Sequence, residues 1–304
     1  MIVDNANNFV SALASGNFPA DSPVTPKAAL MVEPEGFYVG AETALDNHYM
    51  DLDNAADPDR AIRQFHRLVA LIRKTGTEVL VFPGSVRTPD DVFPNNVYAT
   101  VPGRLIIGRM RYPIRQLEAE RTDIPSFFYE RGYEIVDLRK TNCVAELTGV
   151  LIMDRARRIG FCGMSERVDR AGVEAMHKAF NLRLTYCFDL TPDEYHTNVV
   201  FSVLAARACV VYPGACAEPG APEAIEAAFP GRTLFLDKHE KDHFVGNCIS
   251  LNDTNLFMSQ AAADALRPES RATLESWNFT IHSTELDELE KSGGSLRCMV
   301  AKIF

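Results

Sequence analysis

Six polar or nucleophilic residues recur along the chain at nearly constant spacing, and their side chains together could carry out chemistry. The intervals between successive members are 49, 50, 50, 51 and 51 residues. The set consists of Asn47, Asn96, Glu146, His196, Asn247 and Cys298. Because equivalent positions in a closed ring of repeats lie around one axis, the spacing predicts that these side chains converge on a single cavity.

The reactive residue types in this set fit nucleophilic catalysis on a cationic substrate. Cys298 is predicted to attack as a thiolate, which requires that its pKa fall from about 8.5 or that a base remove the proton. A bound cation lowers that pKa, and His196 can carry protons to a leaving amine and from water. Glu146 can hold and neutralise a cationic group. Gly293 and Gly294, shortly before the cysteine, would let the backbone approach a ligand closely.

The elements that must position these residues repeat with the same period. The segments NVYATV and RLIIGR predict a hairpin, residues 113–131 predict a helix, and YEIVDL predicts a further strand. The same unit of hairpin, helix and strand recurs from TGVLIMD, from NVVFSVLAARACVVYP and from NCISLNDTNLFMS. A first unit has the strand AALMV, an amphipathic helix that Gly76 ends, and the strand EVLVF.

The last predicted strand, CMVAKIF, lacks a hairpin partner, and we expect it to pair with AALMV at residues 28–32 and complete the first unit. Repetition at a fixed period is typical of a propeller or an array. A closed ring with inward strands and outward helices would bury every face and remove sheet edges. We therefore predict an α/β fold with pseudo-fivefold symmetry. It comprises one domain at residues 28–304, preceded by a loosely held polar extension at residues 1–27.

Length, composition and charge restrict the function classes. The chain has 304 residues, of which 46% are hydrophobic and 24% charged, as is typical of a globular protein that needs no disulfide or metal for stability. We expect neither a transmembrane helix nor a secretory signal. The seven cysteines include no C-x-x-C pair, which disfavours zinc and predicts a reduced, cytoplasmic location. The net charge of −10 disfavours nucleic acid and membranes as partners and is compatible with a cationic substrate.

Several segments also match the motifs of a known superfamily. They are LMVEPEGFYVGAETALDNHYMD, DDVFPNNVYAT, AELTGVLIMDRARRIGFCGMSERVD, YHTNVVF, VGNCISL and GGSLRCMVAKIF. Over roughly residues 28–304 the chain resembles the guanidine-modifying superfamily of arginine deiminases and amidinotransferases. It looks most similar to the branch of deiminase-related hydrolases with an F-P-N-N signature, associated with citrulline utilisation. The resemblance implies the pentein fold, a five-bladed α/β propeller, and implies no cofactor and no metal.

The resemblance further implies a role for individual residues. Cys298 lies where the family has the nucleophile that attacks the guanidinium carbon and forms a covalent thiouronium-type adduct. His196 lies at the general acid/base, and Glu146 matches the carboxylate that grips the guanidinium and supports the histidine. Arg167 matches an arginine that binds the substrate α-carboxylate, and Arg115 is a second anchor. The other predicted substrate contacts are Asn47, Asp90, Asn95, Asn96 and Asn247.

Two departures from the family pattern bear on the substrate. Deiminases and dimethylargininases usually have aspartate at the position of Asn96, and deiminases commonly have another at that of Asn198. An asparagine accepts from an N–H group and donates to a carbonyl oxygen, so Asn96 suits both a guanidinium and a ureido group. Relatives with asparagines here and at the position of Asn47 include arginine dihydrolases, which release ornithine, carbon dioxide and ammonia.

These observations predict a hydrolase for C–N bonds of linear amidines that acts on L-arginine or a close derivative, in one round of hydrolysis or in two. The alternatives are an arginine deiminase or dimethylargininase that releases citrulline, an amidinotransferase, and a non-catalytic arginine-binding protein. The intact Cys298, His196 and Glu146 argue against the last. Taken singly, each of these residues could instead be a buried thiol, a core histidine or a turn carboxylate. The expected partner is a small guanidino molecule, and a homodimer is compatible because superfamily members often dimerise.

Overall fold

The computed structural model describes the backbone of residues 1–304 and the side chains of all of them except Ala41. The strands are β1 (Ile2–Val3), β2 (Ala28–Val32), β3 (Glu78–Phe82), β4 (Tyr98–Val101), β5 (Arg104–Ile107), β6 (Glu134–Asp137), β7 (Leu151–Asp154), β8 (Ile159–Met164), β9 (Leu184–Asp189), β10 (Phe201–Leu204), β11 (Ala208–Val211), β12 (Thr233–Phe235), β13 (Ile249–Ser250), β14 (Asn255–Ser259), β15 (Thr280–Thr284) and β16 (Ala301–Ile303).

Helices connect these strands, and short 3-10 turns lie between them. The α-helices are α1 (Ala6–Ser15), α2 (Pro58–Lys74), α3 (Pro113–Ala119), α4 (Asp123–Tyr129), α5 (Leu147–Val150), α6 (Arg170–Ala179), α7 (Thr197–Val200), α8 (Ala221–Ala228), α9 (Lys238–Asp242), α10 (Gln260–Ala265), α11 (Pro268–Ser276) and α12 (Asp287–Glu290). The 3-10 turns are Ala41–Leu45, Pro89–Val92, Pro94–Asn96, Leu138–Lys140, Pro213–Ala215, Val245–Asn247 and Leu296–Met299. Within the described part of the chain, no helix combines the length and apolarity needed to cross a membrane.

In the described residues, the strands form five small sheets that share one plan. In each sheet an antiparallel pair is extended by a parallel third strand, which the chain reaches through a helical crossover. The orders are β16-β2-β3, β4-β5-β6, β7-β8-β9-β1, β10-β11-β12 and β13-β14-β15, where β1 is an additional fourth strand of the third sheet. We call β16, β4, β7, β10 and β13 the first strands. First strands of neighbouring sheets contact one another: β16 contacts β4, β7 contacts β10, and β10 contacts β13.

The predicted closure of the first sheet by the last strand is confirmed. β16 pairs antiparallel with β2, with Ala301 opposite Leu30 and Ile303 opposite Ala28. All five residues of β2 are buried, which explains why this strand reads as a continuous apolar run. The strand is shorter than predicted, because Cys298 lies in the preceding 3-10 turn and not in the strand itself.

Helix α2 shows why the crossover helices form where they do. Asp57 caps its N-terminus by accepting a hydrogen bond from the Arg60 N–H group, and Pro58 occupies the first turn, where no N–H is needed. Phe65 and Leu68 are fully buried on its inner face. The predicted single helix over 113–131 is instead split into α3 and α4, because a proline at position 125 fits only the first turn of a helix.

Residues 2–15 are packed against the third sheet, which differs from the expectation that the whole of residues 1–27 is loosely held. β1 adds a parallel strand to the edge of β9, with Ile2 opposite Thr185. Phe9 on α1 is completely buried, and its ring stacks on that of Tyr186 at a centroid distance of 4.8 Å. The segment looked polar because only one face of α1 is apolar, and burial of Phe9 fixes it to the third sheet.

Candidate active site

Five short helical turns place the predicted residues at equivalent points of the five sheets. Each turn lies immediately before a first strand, so the spacing of about fifty residues reflects one repeated structural position. Asn96 ends the turn before β4, Glu146 and His196 cap α5 and α7 before β7 and β10, Asn247 ends the turn before β13, and Cys298 lies in the turn before β16.

Asn47 does not occupy a position equivalent to these five, contrary to the prediction. It follows the turn Ala41–Leu45 in the loop before α2, and it reaches the same cavity from there. Its amide nitrogen donates to the Ser292 carbonyl at 3.4 Å, and its amide oxygen accepts from the Tyr49 N–H at 3.2 Å. Gly293 has φ +73°, and a β-carbon there would collide with the Asn47 amide. Both facts require glycine at position 293.

Glu146 and His196 form a completely buried pair. The imidazole Nε2 lies 2.8 Å from a carboxylate oxygen, and the other carboxylate oxygen accepts the Arg111 N–H at 3.0 Å. Burial opposes ionisation of Glu146, but Arg167 and His196 outweigh it and hold its pKa well below the usual range. Burial lowers the pKa of His196, although Glu146 opposes that shift. An ionised carboxylate therefore faces a neutral imidazole, whose Nε2 carries the proton and whose Nδ1 is a free acceptor.

Arg167 connects this pair to the loop that carries Asn47. Its guanidinium makes two hydrogen bonds to Asp46, at 2.7 and 2.6 Å, and a third to Glu146 at 3.3 Å. It also lies over the Tyr112 ring, 4.6 Å from the centroid. The side chain is almost completely buried and lines the cavity. Most of its donors are thus already used, which leaves little capacity for the predicted contact with a substrate carboxylate.

The Cys298 sulfur is buried and contacts two asparagines. The Asn247 amide nitrogen donates to it at 3.3 Å, and the Asn198 amide oxygen lies 3.7 Å away. Asn247 is itself held by the Asn198 carbonyl at 2.7 Å and by the Arg297 N–H at 3.0 Å. Burial raises the pKa of the Cys298 thiol, and the Asn247 hydrogen bond offsets part of that rise. A cation beside the sulfur would favour the thiolate.

A second buried cluster beside the cavity contains two carboxyl groups and one arginine. Asp90 accepts a hydrogen bond from the Thr43 hydroxyl at 3.1 Å, and its other oxygen has no partner among the described residues. Arg115 pairs with Glu118 at 2.6 Å on α3. Burial raises the pKa of Asp90 and raises that of Glu118 to about 8, in both cases against the opposing effect of Arg115. A cationic ligand placed here would compensate carboxylates that are incompletely neutralised.

The cavity between these groups is narrow, with a volume of about 10 Å³. Several fully buried polar atoms around it lack a hydrogen-bond partner in the described structure. They are Asp90 Oδ1, Asn96 Oδ1, His196 Nδ1, Asn198 Nδ2 and Ser292 Oγ. Buried polar groups are nearly always paired, and unpaired ones concentrated at one place indicate a position for a polar ligand. Gly149 leaves room there, because a β-carbon would lie 2.9 Å from both the Asn96 amide and the His196 ring.

The structure brings most of the predicted site residues together. The cavity is lined by Asn47, Asp90, Asn96, Arg115, Arg167 and Cys298. Glu146 and His196 lie behind this lining, and Asn247 contacts the sulfur. Asn95 is the exception, because it lines a separate cavity further along the first strands.

The sequence analysis missed several residues of the site. These are Thr43, Asp46, Phe93, Glu118, Tyr195 and Ser292. The spacing of three residues between Arg115 and Glu118 was the one available signal, since i,i+3 pairs on a helix lie side by side. The others are brought in by loops, whose paths the hydrophobic pattern does not specify.

Comparisons of the sequence with family models and with known proteins agree on one family. A family model described as N,N dimethylarginine dimethylhydrolase, eukaryotic, matches residues 33–304. An uncharacterised protein of Caenorhabditis elegans is 22% identical over 281 residues, which is 91% of this chain and 94% of that protein. The N(G),N(G)-dimethylarginine dimethylaminohydrolase of Mycobacterium tuberculosis is 25% identical over 297 residues, or 98% of this chain and 92% of the relative.

The fold has a counterpart among solved structures. The N-terminal domain of ArgZ, an arginine dihydrolase from the ornithine-ammonia cycle in cyanobacteria, bound to its substrate, matches with a TM-score of 0.79. The identity is 20%, and the match covers 91% of this chain and 97% of that chain. The two chains share one mixed α/β fold.

Proposed function

Because the chain belongs to the eukaryotic N,N dimethylarginine dimethylhydrolase family of the guanidino-modifying pentein superfamily, we propose that it hydrolyses a C–N bond in the guanidino group of L-arginine or a close derivative. The observation that carries this proposal is the cavity itself. It joins a buried thiol, Cys298, to carboxylates and to unpaired amide groups. A planar cation rich in N–H groups complements that arrangement.

In the first step, the Cys298 sulfur attacks the guanidinium carbon as a thiolate. The bound cation supplies the charge that opposes the burial-raised pKa of the thiol, and the Asn247 amide steadies the sulfur from 3.3 Å. The C–S bond forms and the carbon becomes tetrahedral. The proton given up by the Cys298 thiol passes to the free Nδ1 atom of His196 and from there to the departing nitrogen, which leaves as ammonia or an amine, and a thiouronium-type adduct remains.

In the second step, water attacks the carbon of the adduct. The His196 Nδ1 atom accepts the proton from water, the C–S bond breaks, and the thiolate and a ureido product are released. Glu146 acts as a positioning residue, because its hydrogen bond to Nε2 leaves Nδ1 as the acceptor. Asp90 and Asn96 bind the guanidino nitrogens, and Arg115, Arg167 and Asn47 surround the rest of the substrate.

Asparagine at positions 96 and 198 favours a second round of the same chemistry. An aspartate would repel the carbonyl oxygen of a ureido product, whereas an amide can donate to it. Attack of the Cys298 thiolate on the ureido carbon then expels ammonia and gives an S-carbamoyl adduct. Water releases a carbamate from that adduct, and the carbamate loses carbon dioxide to give ornithine. This route corresponds to an arginine dihydrolase of the F-P-N-N branch.

A second candidate function is a dimethylargininase that stops at citrulline. The family model and the Mycobacterium tuberculosis relative favour it. An amidinotransferase would use the same adduct with an amine in place of water, and a binding protein would show no turnover.

One product assay separates these functions. The protein is incubated with L-arginine and, in parallel, with dimethylarginine, and ammonia, dimethylamine, citrulline and ornithine are quantified by mass spectrometry. Two molecules of ammonia and one of ornithine per arginine support the dihydrolase. Citrulline without ornithine excludes the second round, and guanidinoacetate formed after addition of glycine supports transfer. Cys298→Ala must abolish every product, so unchanged turnover in that variant refutes the mechanism.

The remaining parts of the proposal concern architecture and setting. We propose that the five sheets are the blades of an α/β propeller, which the shared plan of the sheets and the contacts between first strands support. The single catalytic domain at 28–304, a cytoplasmic location, a homodimer and catalysis without cofactor or metal stay predictions.

A further inference from the structure

A second cavity lies further along the same first strands, and we call it the rear cavity. Residues from all five first strands or their immediate ends line it, including Ala99, Met153, Val203, Ile249 and Val300. Its volume is about 50 Å³, compared with about 10 Å³ for the catalytic cavity. The proposed function assigns no role to this space.

The rear cavity is positively charged and lacks a compensating acid. Three of its fourteen lining residues are the cations Arg155, Arg297 and Lys302, and none is an aspartate or glutamate. No ion pair among the described residues involves any of the three. Like charges that are gathered in a partly buried space repel one another, so the arrangement costs free energy unless an anion is present.

The two arginines are held in place by neutral groups. Arg155 donates to the Thr100 carbonyl at 3.2 Å, and its guanidinium lies 3.9 Å above the centre of the Phe304 ring. Arg297 donates to the Phe201 carbonyl at 3.4 Å and to the Ser202 hydroxyl. Each arginine therefore has a fixed orientation and unused N–H groups, since a guanidinium carries five donors.

The third cation in the cavity, Lys302, has no partner in the described part of the chain. The Lys302 ammonium makes no hydrogen bond to any described residue, although its backbone is fixed in β16. Burial and the two arginines together push the pKa of Lys302 well below its usual range, which is the response expected of a cation without a counter-charge.

We propose that the rear cavity binds a small oxyanion between Arg155, Arg297 and Lys302. Planar guanidinium groups and a mobile ammonium suit carboxylate or phosphate oxygens. Arg155 also lines a larger neighbouring cavity of about 590 Å³, in which the cations Lys27, Arg104 and Arg158 outnumber the one acid, Asp21. The anion would replace the missing acid and stabilise the fold.

The test uses inorganic phosphate as the probe and the full chain. Binding is measured by calorimetry, and the melting temperature is recorded against phosphate concentration, with chloride at equal ionic strength as the reference. We expect a saturable rise in melting temperature that chloride does not reproduce. Lys302→Met should weaken phosphate binding at least tenfold and should raise the melting temperature of the phosphate-free protein, because a buried amine without a hydrogen-bond partner is removed.

Two controls keep the outcome decisive. Lys178→Met makes the same substitution at an exposed position and should leave phosphate binding unchanged. Cys298→Ala alters the catalytic cavity alone and should also bind phosphate normally, whether or not the protein proves to be a hydrolase. If Lys302→Met and Arg155→Met bind phosphate as the unmodified protein does, or if phosphate acts no differently from chloride, the proposal is overturned.

Discussion

Replacement of Glu146 by glutamine tests the link between burial, charge and catalysis most directly. The substitution keeps the shape of the side chain and removes its negative charge. With Glu146 ionised, the His196 Nε2 atom must carry the proton, because the carboxylate oxygen 2.8 Å away can only accept. A glutamine amide can donate to Nε2 instead, and the proton then moves to Nδ1, where the free acceptor is lost.

The expected loss of rate follows from that contact. A hydrogen bond to a charged group contributes about 1.5–3 kcal/mol, which corresponds to a preference of roughly 10- to 150-fold for the active tautomer. Complete loss of acid–base help would cost about 10²–10⁴-fold. We therefore expect kcat for arginine to fall by at least about 10-fold and at most about 10⁴-fold. The pKa of His196, already lowered by burial, should fall further, so the acidic limb of kcat/KM should move to lower pH.

The chain offers a matched control for this variant. Glu240 is also completely buried and binds an arginine, with 2.9 Å between a carboxylate oxygen and the Arg267 Nε atom, but it lies outside the site. Glu240→Gln should lower the midpoint of urea unfolding to a similar extent and leave kcat unchanged. If Glu146→Gln changes kcat less than threefold, or no more than Glu240→Gln does, the assignment of Glu146 as the residue that positions His196 is refuted.

Three further outcomes are expected. Asn96→Asp should keep the first hydrolysis and slow the second by about 5- to 150-fold, because a carbonyl oxygen left without its donor costs about 1–3 kcal/mol. Product analysis should then show accumulated citrulline, and an unchanged yield of ornithine would contradict the role of Asn96. Phe9→Ala should lower the free energy of unfolding by about 3–5 kcal/mol in urea titrations, since the ring is completely buried. A loss below about 1 kcal/mol would mean that the N-terminal segment is not part of the cooperative fold. The rate of Cys298 alkylation by iodoacetamide, corrected with Cys298→Ala, should rise with a midpoint above about pH 8.5, since burial raises the pKa of this thiol. A midpoint near pH 6 would show a thiolate in the free protein.

The repeated unit of hairpin, helix and strand, and the residues that recur in it, could be predicted from the sequence because both depend on local residue patterns. The alternation of apolar runs and turn residues marks the hairpins, and the recurrence of Asn96, Glu146, His196, Asn247 and Cys298 marks the five turns before the first strands. These residues occupy the same position in each repeated unit, so their regular spacing in the sequence predicts that they lie close together in the fold.

The residues that the sequence did not predict are those placed by long-range packing. Asn47 kept the fifty-residue spacing by coincidence, and its place in the cavity depends on a glycine, Gly293, nearly 250 residues away. Asp46 binds Arg167, which lies 121 residues further along the chain. Asn95 and Asn96 are adjacent in the same 3-10 turn, yet they line different cavities because successive residues of such a turn point in different directions. None of these relations has a periodic signature.

The pairing of β16 with β2 has a consequence for the order in which the protein matures on the ribosome. β2 is made early, but its antiparallel neighbour follows only after the strands of the other four sheets have emerged. Cys298 travels with that late strand. A nascent chain can therefore assemble the turns that carry the carboxylate and the imidazole while it still lacks the sulfur. Unfinished polypeptides should consequently be inert towards arginine, and reactivity should arise in a single event when the two distant strands meet.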